Sequence, residues 1–198
     1  MNLPNKLTAS RFVLTVLFLW CLFTSFPYHQ TFALVLFCLA GVTDFLDGRI
    51  ARARNLITNF GILMDPLADK IMTCSAFIAF VESTHINANA PVKLAAWMVV
   101  IIVSRELAIT GLRLLAASKN VVLAAERYGK HKTIWQIISI IALLVVDALN
   151  EWPVPLQNLF RSWSPLFAAI ALWITVVLTA ASGVIYLWRN RAIYLDDM

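Results

Sequence analysis

The run Asp44-x2-Asp47-Gly48-x2-Ala51-Arg52-x8-Gly61-x3-Asp65-x3-Asp69 gathers four carboxylates, two glycines and an arginine at the ends of two apolar segments. An aspartate at the centre of a bilayer costs about 2.5–3.5 kcal/mol on an insertion scale. Four in apolar surroundings therefore call for positive compensation, and hard divalent cations with oxygen ligands supply it. Ligation by carboxylates, with no Cys or His, favours Mg²⁺ or Mn²⁺ over zinc. Two such cations can clamp the attacking and leaving oxygens of a displacement at phosphorus. The pattern predicts a two-metal phosphoryl-transfer site near a membrane surface.

Spacing gives each residue a place. Asp44 and Asp47 are i and i+3, and Asp65 and Asp69 are i and i+4, so each pair shares a helical face. The pairs are expected near the facing ends of two antiparallel helices joined by a loop over residues 49–60. Gly48 and Gly61, each about one turn from an aspartate, would let a ligand approach the backbone. Ala51 keeps that surface shallow, and Arg52 can clamp a phosphate or an aspartate. Taken singly, Asp65-Pro66 also reads as a helix N-cap followed by proline at N1, and Asp44 as an interfacial acid. The full constellation favours the site.

A second cluster is basic. Ser104-Arg105-Glu106-Leu107-Ala108-Ile109-Thr110-Gly111-Leu112-Arg113 puts Glu106, Thr110 and Arg113 on one stripe, with Arg105 adjacent. Arg127 and Gly129-Lys130-His131-Lys132-Thr133 follow at the entrance of another apolar run. Arginines inside an apolar helix face a polar cavity or a partner, and an acceptor carrying its own phosphate would be that partner. For Arg105 a salt bridge with a nearby acid is the alternative. Lys119, Arg189 and Arg191 read as membrane anchors and His131 as a solvated flank. His29, His85, Glu82, Asp147 and Glu151 fall at the opposite face and read as interfacial. No Ser/His/Asp nucleophile–base pairing is visible.

The elements that must position these groups follow from composition. The chain has 198 residues, is 61% hydrophobic and has a mean hydropathy of +0.78, which marks an all-α integral membrane protein. Six stretches can span a bilayer: 11–26, 31–47, 65–86, 91–117, 133–149 and 165–188. A short interfacial helix over 2–10 leads into the first, and the whole of 1–198 is expected to form one catalytic unit. Pro27, Pro91, Pro153, Pro155 and Pro165 fall at the breaks. Basic residues crowd one side, leaving only Lys93 and Arg161 opposite, so both termini and the aspartates are expected on the cytoplasmic face. This distribution of the +5 charge argues against nucleic acid as a partner and for anionic lipid or phosphate. Cys21, Cys38 and Cys74 read as small apolar residues. The first ten residues lack the pattern of a removable signal peptide.

The stretch from Asp44 to Asp69 resembles, without gap or substitution, the signature of the CDP-alcohol phosphatidyltransferases, six-span enzymes that exchange the CMP of a CDP-linked lipid for an alcohol. The resemblance implies that family's fold and two Mg²⁺ or Mn²⁺ ions held by Asp44, Asp47, Asp65 and Asp69. Asp69 would also be the general base. Asp47, Gly48, Ala51, Arg52 and Gly61 would line the CDP-diacylglycerol pocket, with Asn5 and Thr8 near its mouth. The 104–113 and 129–133 stretches, and Pro4-Asn5-x-Leu7-Thr8-x2-Arg11, are similar to the branch whose acceptor is sn-glycerol 3-phosphate. Arg105, Arg113, Arg127, Lys130 and Lys132 would then hold the acceptor phosphate. An inositol-phosphate acceptor and cardiolipin synthesis are the alternatives within the family. From another class the competitor is a divalent-cation transporter, disfavoured because the acids crowd one membrane face. The resemblance further implies a homodimer in a bacterial inner membrane.

Overall fold

Apolar runs punctuated by proline fold here as helices. The protein, analysed as a computed structural model, is described over residues 3–53, 59–86, 91–119, 121, 123 and 127–195. Side chains are described in these ranges except at 3–8, 44–53, 59–63, 65, 66, 69, 84–86, 127–130 and 195. The described elements are α1 (Leu3–Phe23), α2 (His29–Ala53), α3 (Asn59–Ile86), α4 (Ala96–Ser118), α5 (Arg127–Ala148), a 3-10 turn (Leu149–Glu151), α6 (Val154–Arg161), α7 (Ser164–Arg189) and α8 (Ala192–Leu195).

Helix α1 packs against both α2 and α3, and α5 lies along α7, with α2 and α4 completing the bundle. The core joins Phe18 of α1, Phe37 of α2, Phe77 and Phe80 of α3, Ile102 of α4, Ile140 and Leu144 of α5, and Leu172 of α7. Phe18 and Phe37 rings meet with centroids 5.7 Å apart. Between α5 and α7 the contact turns polar. Ser139 Oγ and Thr175 Oγ1 are 2.7 Å apart, and Thr175 Oγ1 donates to the Trp135 carbonyl at 2.8 Å. Hydroxyls serve this purpose where packing in an apolar solvent cannot draw on the hydrophobic effect.

The outer surface is apolar. Val100, Leu107 and Leu114 stand exposed at seven-residue intervals along α4, and Leu166, Trp173, Val177, Val184 and Trp188 stand exposed on α7 at alternating intervals of seven and four. So large an exposed apolar area suits lipid rather than water. Among the described residues, His131–Glu151 and Ser164–Arg189 are long and apolar enough to cross a membrane, and Ala9–Phe23 and His29–Thr43 are shorter apolar helices.

Several expected boundaries shift. Helix α1 is continuous from Leu3 to Phe23, so the expected interfacial segment 2–10 and the first span share one helix without a break at Ser10. Helix α2 runs on to Ala53 and α3 already begins at Asn59, leaving positions 54–58 between them instead of a loop over 49–60. Asp65 is therefore inside α3 and the N-cap reading of Asp65-Pro66 fails. Pro66 is tolerated within the helix although it withdraws one N–H from the ladder. Residues 91–95 are not helical, and α4 starts after Ala95 in extended backbone (φ −77°, ψ 140°). The unanticipated α6 is a short helix with Val154, Leu156 and Leu159 exposed. Pro155 and Pro165 lie in the first turns of α6 and α7, where a missing N–H costs nothing.

The end of α2 far from the aspartates is fixed by a long-range cap. Glu151 accepts from the backbone N–H of Gln30 (2.9 Å) and of Thr31 (2.8 Å), and from Thr31 Oγ1 (2.6 Å). Trp152 Nε1 donates to Thr31 Oγ1 at 3.1 Å. A carboxylate satisfies the orphan N–H groups of a helix start and complements its dipole. Tyr28, at φ 64°, makes the turn into this helix.

Candidate active site

Both halves of the aspartate motif are helical. Asp44, Asp47, Gly48, Ala51 and Arg52 lie in α2, and Gly61, Asp65 and Asp69 lie in α3. In that register Asp44, Asp47, Gly48 and Ala51 (i, i+3, i+4, i+7) share one face of α2. Gly61, Asp65 and Asp69 (i, i+4, i+8) likewise share one face of α3. Their side chains lie outside the described ones, as do those of Asn5, Thr8, Arg127 and Lys130. An all-carboxylate donor set on two helices suits Mg²⁺ or Mn²⁺.

The residue after Asp69 connects this motif to the basic cluster. Lys70 Nζ donates to Thr110 Oγ1, and Thr110 Oγ1 donates to the Glu106 carbonyl at 2.7 Å. The contact ties α3, one residue past Asp69, to the middle of α4. One turn further along α4, Glu106 is buried and Oε1 pairs with Lys132 Nζ from α5. The same oxygen lies 3.3 Å from Arg105 Nη1. Lys132 is itself buried, so the pair is held away from solvent.

Arg105 reaches this position because α7 has no side chain where it passes. A Cβ on Gly183 would lie 2.8 Å from Arg105 Cγ, closer than such atoms approach. Among the described residues Arg105 Nε is buried without a hydrogen-bond partner. One turn deeper, Gln136 Nε2 of α5 and Thr179 Oγ1 of α7 are also buried and unpartnered. Buried polar atoms are nearly always satisfied by protein, water or ligand. These three make the α4–α5–α7 junction polar.

Arg113 stands apart from this cluster. It is exposed, its Nε donates to Tyr186 Oη at 3.4 Å, and its guanidinium carbon lies 6.0 Å from the Tyr186 ring centroid. Lys119 Nζ donates to the Ile193 carbonyl at 2.7 Å, so this expected anchor also ties α8 to α4. The salt bridge weighed for Arg105 exists, with Glu106 as partner. The structure brings Glu106, Lys70 and Gly183 into contact with residues of the expected basic cluster or its stripe. Only Glu106 had a visible signal, as the lone acid on a basic stripe. The contacts of Lys70 and Gly183 are between helices and have no trace in local spacing.

Sequence comparison covers the same helices. The family described as CDP-alcohol phosphatidyltransferase matches residues 1–187. A Bacillus subtilis protein named CDP-diacylglycerol–glycerol-3-phosphate 3-phosphatidyltransferase is 40% identical over 96% of this chain and 95% of its own length. Proteins of the same name from Rickettsia bellii (31% identical, 93% of each chain) and Escherichia coli (30% identical, 99% of this chain and 98% of its own) also match. With the match running over the helices that carry the aspartates and the Glu106 cluster, the chain belongs to the CDP-alcohol phosphatidyltransferase family.

Proposed function

We propose that this protein transfers the phosphatidyl group of CDP-diacylglycerol to sn-glycerol 3-phosphate, giving phosphatidylglycerophosphate and CMP. The observation that carries the reading is the contact from Lys70, next to Asp69, to Thr110 and the buried Glu106–Lys132–Arg105 cluster. It joins that basic cluster, whose chemistry suits a phosphate, to the helix that carries Asp65 and Asp69. The names of the similar bacterial proteins point to the same pair of substrates.

In this reading Asp44, Asp47, Asp65 and Asp69 hold two Mg²⁺ or Mn²⁺ ions, which when bound neutralise charge on the diphosphate. Asp47, Gly48, Ala51, Arg52 and Gly61 receive the cytidine diphosphate, with Asn5 and Thr8 at the mouth. Arg105 and Lys132, with Arg113, Arg127 and Lys130 nearer the entrance, hold the acceptor phosphate. An acceptor hydroxyl oxygen attacks the lipid-side phosphorus, the bond from that phosphorus to the bridging oxygen breaks, and CMP departs. The hydroxyl proton passes to Asp69. Holding both reactants in fixed positions removes much of the entropic barrier.

The same reading has six spans, both termini and the site on the cytoplasmic side of a bacterial inner membrane, and a homodimer. The test is purified protein in detergent with CDP-diacylglycerol and labelled glycerol 3-phosphate. Label should enter lipid with one CMP released per acceptor consumed, EDTA should abolish both, and Mg²⁺ or Mn²⁺ should restore them. CMP release without labelled lipid, or full activity in EDTA, would contradict the reading.

A further inference from the structure

Glu106 is the feature the reaction does not obviously need. A carboxylate in an acceptor site repels the phosphate that the site must attract. As a stabilising device it is also poor, because a buried ion pair often contributes no more than an apolar pair of similar volume. Its geometry suggests another purpose. One oxygen, Oε1, takes both Lys132 Nζ from α5 and Arg105 Nη1 from its own helix. The backbone carbonyl of the same residue is tied through Thr110 Oγ1 to Lys70 of α3. Cations from three helices are thus referred to one residue.

Two cations, Lys132 and Arg105, pair with the one carboxylate, while Lys70 reaches the backbone of the same residue through Thr110. Without the carboxylate, Lys132 and Arg105 would repel each other across a low-dielectric gap. The flexible lysine stem would then lose the partner that fixes its Nζ beside Arg105. Arg105 has less freedom, with Gly183 of α7 behind its stem and its Nε buried and unpartnered.

We propose that Glu106 is the positioning residue of the acceptor site, holding Lys132 and Arg105 side by side to receive the acceptor phosphate. This rests on the reading that Lys132 and Arg105 bind the acceptor phosphate. Glu106 itself does not touch substrate.

The experiment is a double-mutant cycle on the full-length protein in detergent, reading KM for glycerol 3-phosphate, KM for CDP-diacylglycerol, kcat and thermal midpoint. Lys132→Met tests the underlying reading and should raise the acceptor KM roughly ten- to a hundredfold, as loss of one charge-assisted contact does. Glu106→Gln keeps size and shape but removes the charge, and should raise the acceptor KM about tenfold while the donor KM stays within about twofold. In the Glu106→Gln background, Lys132→Met should add no more than about threefold, because the lysine has already lost its position. The double variant is charge-balanced, so it keeps the cycle readable if either single variant folds poorly. Glu106→Asp should recover part of the acceptor KM. Fully multiplicative effects would overturn the proposal, as would an unchanged or lowered acceptor KM in Glu106→Gln. Equal weakening of both substrates with a lowered thermal midpoint would also overturn it, by making Glu106 structural. If Lys132→Met leaves the acceptor KM unmoved, the placing of the acceptor phosphate on Lys132 falls instead.

Discussion

Asp69→Asn separates chemistry from architecture. The amide preserves shape and removes both the proton acceptor and one metal charge, so turnover should fall by at least about a hundredfold. The thermal midpoint and CDP-diacylglycerol binding should be retained in part. CMP release assayed beside a melting curve checks this, and wild-type turnover would remove Asp69 from the mechanism. Gly183→Ala makes a steric counterpart. The new methyl collides with Arg105 Cγ, an atom near the backbone that cannot swing aside freely. The acceptor KM should rise several-fold, on the order of the cost of one disturbed hydrogen-bonded charge, with the donor KM unchanged. Equal KM values for wild type and Gly183→Ala would mean that Arg105 is not part of the acceptor site. At this scale the aspartate motif was legible because one local pattern holds all its members at helical spacing. Glu106 was visible on its stripe with Thr110 and Arg113, but its role was not. Pairing with Lys132 depends on how α4 meets α5, and the clearance at Gly183 depends on how α4 meets α7.

Helix α2 connects two distant ends. Its start is capped by Glu151, from the turn after α5, and its other end carries Asp44 and Asp47. Glu151→Ala should therefore cost stability while leaving the chemistry of the folded protein alone. Loss of a cap is worth about 0.5–2 kcal/mol, and about 1 kcal/mol moves the midpoint of a chain this size by roughly 2–4 °C. A thermal melt in detergent measures it, and an unchanged midpoint would refute the capping role. The helices extend beyond the apolar stretches from which the spans were read. Apolar runs stop where charge begins, whereas α2 and α3 continue as helix through the charged motif to Ala53 and from Asn59. Glu151 read as an interfacial acid because its partners, Gln30 and Thr31, lie in a distant part of the chain.

For the whole molecule, the proposed topology puts the Glu151 cap and α6 outside the cell and the basic cluster inside. With Cys21, Cys38 and Cys74 replaced, a cysteine at exposed Asn150 should react with a membrane-impermeant maleimide on intact cells. One at exposed Ser118 should react only after permeabilisation. The reverse pattern would invert the topology and set the site away from the cytoplasm. The bundle was legible as a class from composition and prolines, and the opposed charge clusters from their spacing. The route by which α3, α4, α5 and α7 meet around Glu106 was not, since side-chain contacts between helices leave no periodic signal. The central claim is the acceptor, and a panel tests it most directly. Purified protein with CDP-diacylglycerol and Mg²⁺ is offered glycerol 3-phosphate, inositol phosphate, inositol, serine or phosphatidylglycerol, and CMP is measured. Glycerol 3-phosphate alone should support rapid release, with the others near the rate without acceptor. Faster release with inositol phosphate or phosphatidylglycerol than with glycerol 3-phosphate would contradict the account.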